Sequence, residues 1–320
     1  MIMKNKLFSL FTMAALLLGL CGVSFAADTY PSRPINIITP YVPGGAFTMT
    51  TRAFAEVVSK ELGQNVIVTP TPGAGTAIGL KKALLSKPDG YTLLMTALTS
   101  FSIRSLVRDM RVTLKDAEPI ANIAVSVTYF ATSKDNKKFS SLLEMIAYAK
   151  EHPGEISIAL LGIGGYHHIL ISMLEKEAGI ELNKVPFDSG PAAIAAVLGG
   201  HVDMMVEDVY NPELHTLAIT NKERCSRYPD TPTFMELGYP GMSIDMNIGM
   251  FAPKGTPEPV LKKLESVFLK ACKAPAYVNF VESINMLSLP MDREEMKATL
   301  AKETSVTEGL LKAGIIQSQK

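Results

Sequence analysis

The sequence predicts an α/β protein made of two units that face each other across a ligand cleft. Three observations carry this reading. Short apolar runs alternate with helical patterns along most of the chain, glycine-rich turns sit where a run gives way to a helix, and the same grammar starts again in the middle third.

Ile35 to Thr39 reads as the first strand, closed by Pro40-Tyr41-Val42-Pro43-Gly44-Gly45. Phe47, Phe54, Val57, Val58 and Leu62 follow at helical spacing, and Gly63 is placed to stop that helix. Val66 to Val68 is the next strand, followed by the turn Pro72-Gly73-Ala74-Gly75 and a helix carrying Ile78, Leu80, Leu84 and Leu85. Pro88-Asp89-Gly90 turns the chain into a strand from Tyr91 to Met95. In the second unit, Ser141 and Glu144 form a capping box, and His152-Pro153-Gly154 ends the helix they open. Ile156 to Leu160, Val202 to Val206 and Leu217 to Thr220 read as strands. Tyr166 to Ala178 reads as a helix, as does the stretch from the Ser189 cap through Pro191 to Leu198. Pro257 to Lys273 and Asp292 to Lys312 make the last third mainly helical.

Two extended crossings are expected, near Ile123 to Phe130 and Ile244 to Phe251. They divide the chain into a leader (1–26), a first part of lobe 1 (27–125), lobe 2 (126–250) and a C-terminal part of lobe 1 (251–320). Two lobes with paired crossings make a hinge, and the space between them is a natural small-molecule site.

The N-terminus indicates export. Lys4 and Lys6 precede an apolar run from Leu7 to Leu20, and Ser24-Phe25-Ala26 supplies small residues for cleavage after Ala26. The run is short for a membrane span of ~20 residues. A soluble periplasmic protein is therefore expected; lipid anchoring at Cys21 is the lesser reading, because bulky Leu20 precedes that cysteine.

Basic and acidic residues balance at 31 each, and removing the leader removes two lysines and no acid. There is no basic stripe of the kind nucleic-acid binders carry. An anionic ligand would have to be held by a few local groups rather than by the overall field. Cys225 and Cys272 survive processing, and either a disulfide or two separately buried thiols fits them.

Three glycine-rich turns, Pro43-Gly44-Gly45, Pro72-Gly73-Ala74-Gly75 and Gly162-Ile163-Gly164-Gly165, each follow a strand and open a helix. Backbone N–H groups at such a start can hold a carboxylate without a lysine or arginine. Glycines in these turns also serve backbone geometry alone, so the argument rests on three turns split between two lobes. Nucleotide motifs are absent: no GxxxxGK[ST] run occurs, and Gly162-x-Gly164-x-x-His167 lacks a third glycine. No GxSxG elbow is present, and no cofactor is implied. His167 and His168 are adjacent, so on a helix they diverge by ~100° and do not share a metal ion. Glu207 and Asp208 close a strand, where acids serve acid–base chemistry less often than solvation or capping.

The chain resembles the receptors of the tripartite tricarboxylate transporters, the Bug uptake receptors. The resemblance runs in order through Tyr30-Pro31-Ser32-Arg33-Pro34, the first two glycine turns, Ile78-Gly79, Pro88-Asp89-Gly90-Tyr91-Thr92, His168, Leu198-Gly199-Gly200, Val202-Asp203, Tyr228-Pro229-Asp230-Thr231-Pro232-Thr233 and Phe251-Ala252-Pro253. It implies a type II periplasmic-binding-protein fold, a carboxylated organic solute, no catalysis, and delivery of the solute to membrane subunits by a monomeric receptor. The site residues it implies are Pro43, Gly44, Gly45, Gly73, Ala74 and Gly75 in lobe 1, with Gly164, Gly165 and His168 in lobe 2. Tyr41, Phe47, Thr48 and Thr99 are expected beside the first group, and Tyr166 and Glu207 beside the second.

Departures from the family bear on the ligand. Ala46-Phe47-Thr48 replaces a usual Gly-Thr-Asp, Gly165 stands where serine is usual, Asp188 where a base is frequent, and the Asp203–Leu217 segment is short. Phe47 reads equally as a core residue and as a ligand contact. Two other readings share the fold: a two-lobed enzyme acting on an organic acid, and a periplasmic sensor domain presenting a ligand to a membrane kinase.

Overall fold

The structure is a computed structural model that describes residues 30–107, 111–163, 165–225 and 227–314. The leader, its cleavage point, Cys21 and Gly164 lie outside the described residues. The chain divides into a leading unit ending at Ser32 and a second unit from Arg33 onward, which carries both sheets.

Alternation of strand and helix is realised as β1 (Ile35–Thr39), α1 (Ala46–Leu62), β2 (Val66–Pro70), α2 (Ala77–Leu84), β3 (Thr92–Ala97) and α3 (Leu98–Val107). β1 pairs in parallel with β2 on one side and β3 on the other, Ile35 opposite Val66 and Asn36 opposite Thr92. β4 (Ala117–Ser126), β10 (Met246–Pro253) and the short β11 (Met286–Leu287) complete a six-stranded sheet in the order β11-β4-β10-β3-β1-β2. The second sheet holds β5 (Tyr129–Ser133), β6 (Ser157–Leu161), β7 (Asn183–Phe187), β8 (Met204–Glu207) and β9 (Leu214–Ile219), ordered β7-β6-β8-β5-β9. Its helices are α4 (Leu142–Glu151), α5 (Tyr166–Ala178) and α6 (Gly190–Leu198). Pro186, which cannot donate to a ladder, lies in the edge strand β7, where that costs least.

Each sheet is covered on both faces, so its strands are buried and apolar. In the first, Leu80 and Leu84 of α2 and Phe101 of α3 pack with Ile38, Leu94 and Phe251. On the other face Phe54 of α1 meets Phe268 of α7 (Glu258–Ala271) and Tyr277 of α8 (Pro275–Ser283) edge to face, at 5.1 and 5.3 Å. In the second, α4 and α5 cover one face through Met145, Ile146, Leu170 and Leu174, and α6 covers the other through Ala193 and Val197.

The first crossing falls where expected, at Val127–Thr128 between β4 and β5. The second does not. Met246 to Phe251, expected within an extended crossing, belongs to the central strand β10 (Met246–Pro253) between β3 and β4, and all eight of its residues are buried. The chain thus returns to the first sheet at Met246. Helix α3 also went unread, because Thr99, Ser102 and Ser105 lower its helical signal. There Ser102 and Ser105 donate back to the Leu98 and Phe101 carbonyls at 2.7 and 2.8 Å, while Phe101 and Ile103 anchor the helix by burial. The expected capping box is half formed: Ser141 accepts from the Glu144 amide, but the Glu144 carboxylate accepts from Ser140. Cys225 and Cys272 are separate buried thiols, and burial pushes the Cys272 thiol up to about 12.

The final helix, α9 (Arg293–Lys312), packs against α3 and β4. Phe54 is fully buried at the junction of α1, α7 and α8. Phe54→Ala is expected to lower unfolding free energy by about 3–5 kcal/mol in urea melts. A loss below about 1 kcal/mol would show that this junction does not carry the lobe.

Candidate ligand-binding cleft

Strand ends place the site. The C-terminal ends of β1, β2, β6 and β8 converge on a cleft of about 420 Å³, lined from the first sheet by Pro40–Val42, Gly45–Phe47, Pro72–Gly73, Gly75–Thr76 and Ser126, and from the second by Leu161 and Glu207–Val209. Carboxyl ends of strands in open α/β sheets are where ligands bind, because the helices that follow aim their N-termini there.

Local chemistry explains the turn after β1. Buried Thr48 donates to the Val42 carbonyl at 2.9 Å and reaches the Thr39 hydroxyl at 3.5 Å, pinning the turn back on its strand. The Tyr41 hydroxyl accepts from the Ala97 amide at 3.0 Å and pairs with Thr96 at 3.2 Å, and burial raises its pKa. α1 then starts at Gly45 with no side-chain cap and no acid in its first turn. Its leading N–H groups therefore keep their partial positive charge, at residues Gly45 to Phe47 that line the cleft. α5 likewise starts at Gly165 without a side-chain cap or first-turn acid.

The turn after β2 is strained. Gly73, Ala74, Gly75 and Thr76 have φ of 126°, 47°, 60° and 82° in succession. Two of them are glycines, which tolerate this, whereas Ala74 and β-branched Thr76 do not do so freely. Gly79 lets α2 approach, since a Cβ there would lie 2.7 Å from Pro40 Cβ and 2.8 Å from the Thr71 carbonyl. Strain of this kind concentrates where the surrounding structure must present backbone groups.

The opposite wall is acidic. Asp208 accepts from Thr128 at 2.6 Å and pairs with His167 Nε2 at 3.0 Å. Burial alone would lower the His167 pKa, but the Asp208 charge and hydrogen bond outweigh it and raise it. Glu207, 2% exposed, accepts from the Asp208 and Val209 amides through Oε1, and burial raises its pKa. Among the described residues lining the cleft, the charged side chains are Glu207 and Asp208, with no lysine or arginine.

Of the residues expected at the ligand, Tyr41, Gly45, Phe47, Gly73, Gly75 and Glu207 line this cleft. Phe47 settles between its two readings: it stacks edge to face on Tyr41 at 4.7 Å, packs against the second sheet's core and still lines the cleft. Pro43, Gly44, Thr48, Ala74, Gly165 and His168 are not among the lining residues. Thr48 is a structural residue of the turn, and Pro43 and Gly44 face solvent. His168 is half-buried, and its pKa is lowered by burial and by Lys184 on β7. Its neighbour His167 is the histidine at the crossing. Thr99 and Tyr166 border a separate cavity of about 160 Å³, shared with Lys222, Asp245, Asn247 and Glu303. Sequence reasoning missed Thr76, Ser126, Asp208, Val209, Ile284 and Met286. Asp208 had a signal as half of an acid pair; Ile284 and Met286 arrive through tertiary contact and had none.

Comparison with known proteins places this geometry in a class. Residues 50–316 match the tripartite tricarboxylate transporter family receptor, and the chain belongs to that family. Its members are solute-binding receptors and not enzymes. Protein BugT of Bordetella pertussis is 30% identical over 263 residues, 79% of this chain and 80% of its own. The periplasmic binding protein BugD superposes with a TM-score of 0.72 at 28% identity, covering 90% of this chain and all of its own. An adipate-bound protein of R. palustris, Rpa4515, shares the two-lobed fold with a TM-score of 0.76 at 22% identity, over 90% of this chain and 99% of its own.

Two stability predictions follow from the geometry. Thr76→Gly relieves a positive-φ β-branched residue and is expected to raise unfolding free energy by about 1 kcal/mol, after the glycine's larger unfolded-state entropy is subtracted. Destabilisation in a urea melt would show that the Thr76 conformation is unstrained. Glu303 accepts from Thr99 at 3.0 Å and Ser102 at 3.1 Å, yet burial pushes its pKa up to about 7. Between about 4.5 and 7 the folded state therefore binds more protons than the unfolded state, so stability falls as pH rises through that window. The melting temperature of Glu303→Gln is expected to lose that decline, and an identical pH profile in both proteins would contradict it.

Proposed function

We propose that the chain is a periplasmic receptor that closes its two lobes on a small carboxylated organic solute and hands it to the membrane subunits of a tripartite-type transporter. One lobe is the unit of the first sheet and the other that of the second, joined at Val127–Thr128 and by the segment that ends at Met246. The observation that carries the reading is the uncapped start of α1, opening into a cleft that both sheets line and that holds no lysine or arginine among its described residues. A carboxylate is the ligand group that such N–H groups recognise. The adipate in the R. palustris neighbour supports the same class. Export of the chain after cleavage near Ala26, and action as a monomer, complete the proposal.

The lobes pivot about crossings held by a few specific bonds. Asn285 donates to the Val127 and Asp208 carbonyls at 3.2 and 2.9 Å, tying β11's approach to both lobes. Binding in the cleft shifts an open–closed balance by the ligand's differential affinity for the closed form.

A thermal-shift screen of carboxylic acids, from monoacids to citrate, is expected to find a stabilising acid. For that acid, Gly75→Val is expected to weaken binding by about tenfold or more, because φ of +60° on the cleft wall is denied to valine. Arg52→Gln, on an exposed residue outside the cleft, is expected to leave affinity within about twofold. A larger loss at Arg52 than at Gly75 would overturn the backbone cradle.

A further inference from the structure

We propose that the protein holds a second small-molecule site, apart from the cleft, which takes a short aliphatic primary amine. It is the cavity of about 160 Å³ lined by α3, α5, α9 and the chain entering β10. One wall is apolar, built from Ile103 of α3, Ile169 of α5 and Val306 of α9. The other is rich in oxygen, with Glu303 of α9, Ser243 and Asp245 on the approach to β10, and Asn247 at its start.

Unpaired atoms give the site its polarity. Asn247 is 3% exposed, and its Nδ2 donates to the Asp245 carbonyl at 3.3 Å and to the Glu303 carboxylate. Two acceptors on one end fix the orientation of the amide, and Oδ1 is left without a partner. Asn221, 4% exposed, repeats the pattern behind Asp245: its Nδ2 donates to Asp245 Oδ1 at 3.0 Å, and its Oδ1 is unpaired. The Ser243 hydroxyl is buried and unpaired as well. Amide oxygens only accept, and buried polar atoms are nearly always paired. The group that completes this wall is therefore a donor with more than one hydrogen to give.

Charge narrows that donor to a cation. Glu303 accepts from the Thr99 and Ser102 hydroxyls and Asp245 from the Asn221 amide, all of them neutral donors. The lysines on the lining, Lys222 and Lys302, are exposed, and Tyr166 spends its hydroxyl hydrogen on the Ile244 carbonyl. Burial accordingly holds both carboxyls above their usual range, Glu303 up to about 7. A carboxylate in that state lacks counter-charge, and an ammonium supplies it as the proton leaves Glu303. Size and the apolar wall set the rest of the ligand. A cavity near 150 Å³ holds a molecule of about six heavy atoms. With its nitrogen shared by Glu303 and Asn247 Oδ1, such a ligand has about four carbons to lay along Ile103, Ile169 and Val306.

Calorimetric titration of the mature protein with butylamine, and with 1-butanol as its uncharged counterpart, tests the site. No carboxylic acid is present, so the outcome is independent of the receptor reading. Butylamine is expected to bind at least about tenfold tighter than 1-butanol. Its affinity is expected to rise severalfold between about pH 6 and about pH 8 as Glu303 ionises, the amine staying charged throughout. Glu303→Gln and Asn247→Ala are each expected to weaken it by about tenfold or more. The wild-type comparisons decide the question even if a variant does not fold. Butanol binding as tightly as butylamine, an affinity that falls with rising pH, or no binding of butylamine would each overturn the site. Binding lost in Glu207→Gln but retained in Glu303→Gln would place the cation in the cleft and overturn it too.

Discussion

Holding a small anion in a near-neutral protein is the constraint on which this architecture turns, and partial charges on backbone amides are the means at hand. A single helix start offers roughly half an elementary charge, effective only close by and only where neither a side-chain cap nor a first-turn acid has used it up. α1 meets both conditions, and so does α5 beside the second sheet. Such a cradle needs accurate backbone placement more than it needs particular side chains. That is why so much of the local chemistry goes into pinning turns: Thr48 to Val42, Tyr41 to Ala97, and Gly79 against Pro40.

The same constraint accounts for the strain. Four consecutive positive-φ residues after β2 are costly in a loop that serves only as a connection, yet they line the cleft or flank its lining. The sheets on either side are buried on both faces and supply the rigid frame against which such a turn is held. The crossing is treated similarly. Thr128 and Asn285 tie it to Asp208, and Tyr166 donates to the Ile244 carbonyl at 2.8 Å, so the crossing is stitched by side chains rather than left as free chain.

How much of this was legible depends on whether the signal is local. β1, α5 and α6 stand at the residues that periodicity and capping mark, because their caps, glycines and apolar spacing lie within the element. β10 was not legible as a central strand: a run of buried apolar residues reads the same in a crossing and in a sheet interior, and only its neighbours β3 and β4 decide. α3 was hidden by serines that fold back on their own helix. In the cleft, glycine turns pointed to Gly45, Gly73 and Gly75, whereas Thr99 and Tyr166, expected beside them, border another cavity. Which face of a helix start looks into a cleft is set by the packing of whole lobes, and no short motif encodes it. His167 and His168 show the same limit at the scale of one residue: a rotation of ~100° puts one at the crossing with Asp208 and the other beside Lys184.

Phe47 joins these threads. The family resemblance implies a small polar residue and then an acid in the first turn of α1; here that turn carries an aromatic ring and a neutral threonine. The ring rests on Tyr41 and packs against an apolar cluster that joins Ala97 and Met246 of the first sheet to the core of the second. Loss of the acid matters as much. An acid in the first turn would cap the helix and occupy the very N–H groups that a carboxylate uses. Thr48 instead turns its hydroxyl to Val42 and leaves those groups unclaimed. The charged side chains that line the cleft stand on the far wall, at Glu207 and Asp208. The cleft is left with a positive pole of backbone and a negative pole of side chains, facing each other across a space narrowed by an aromatic pair.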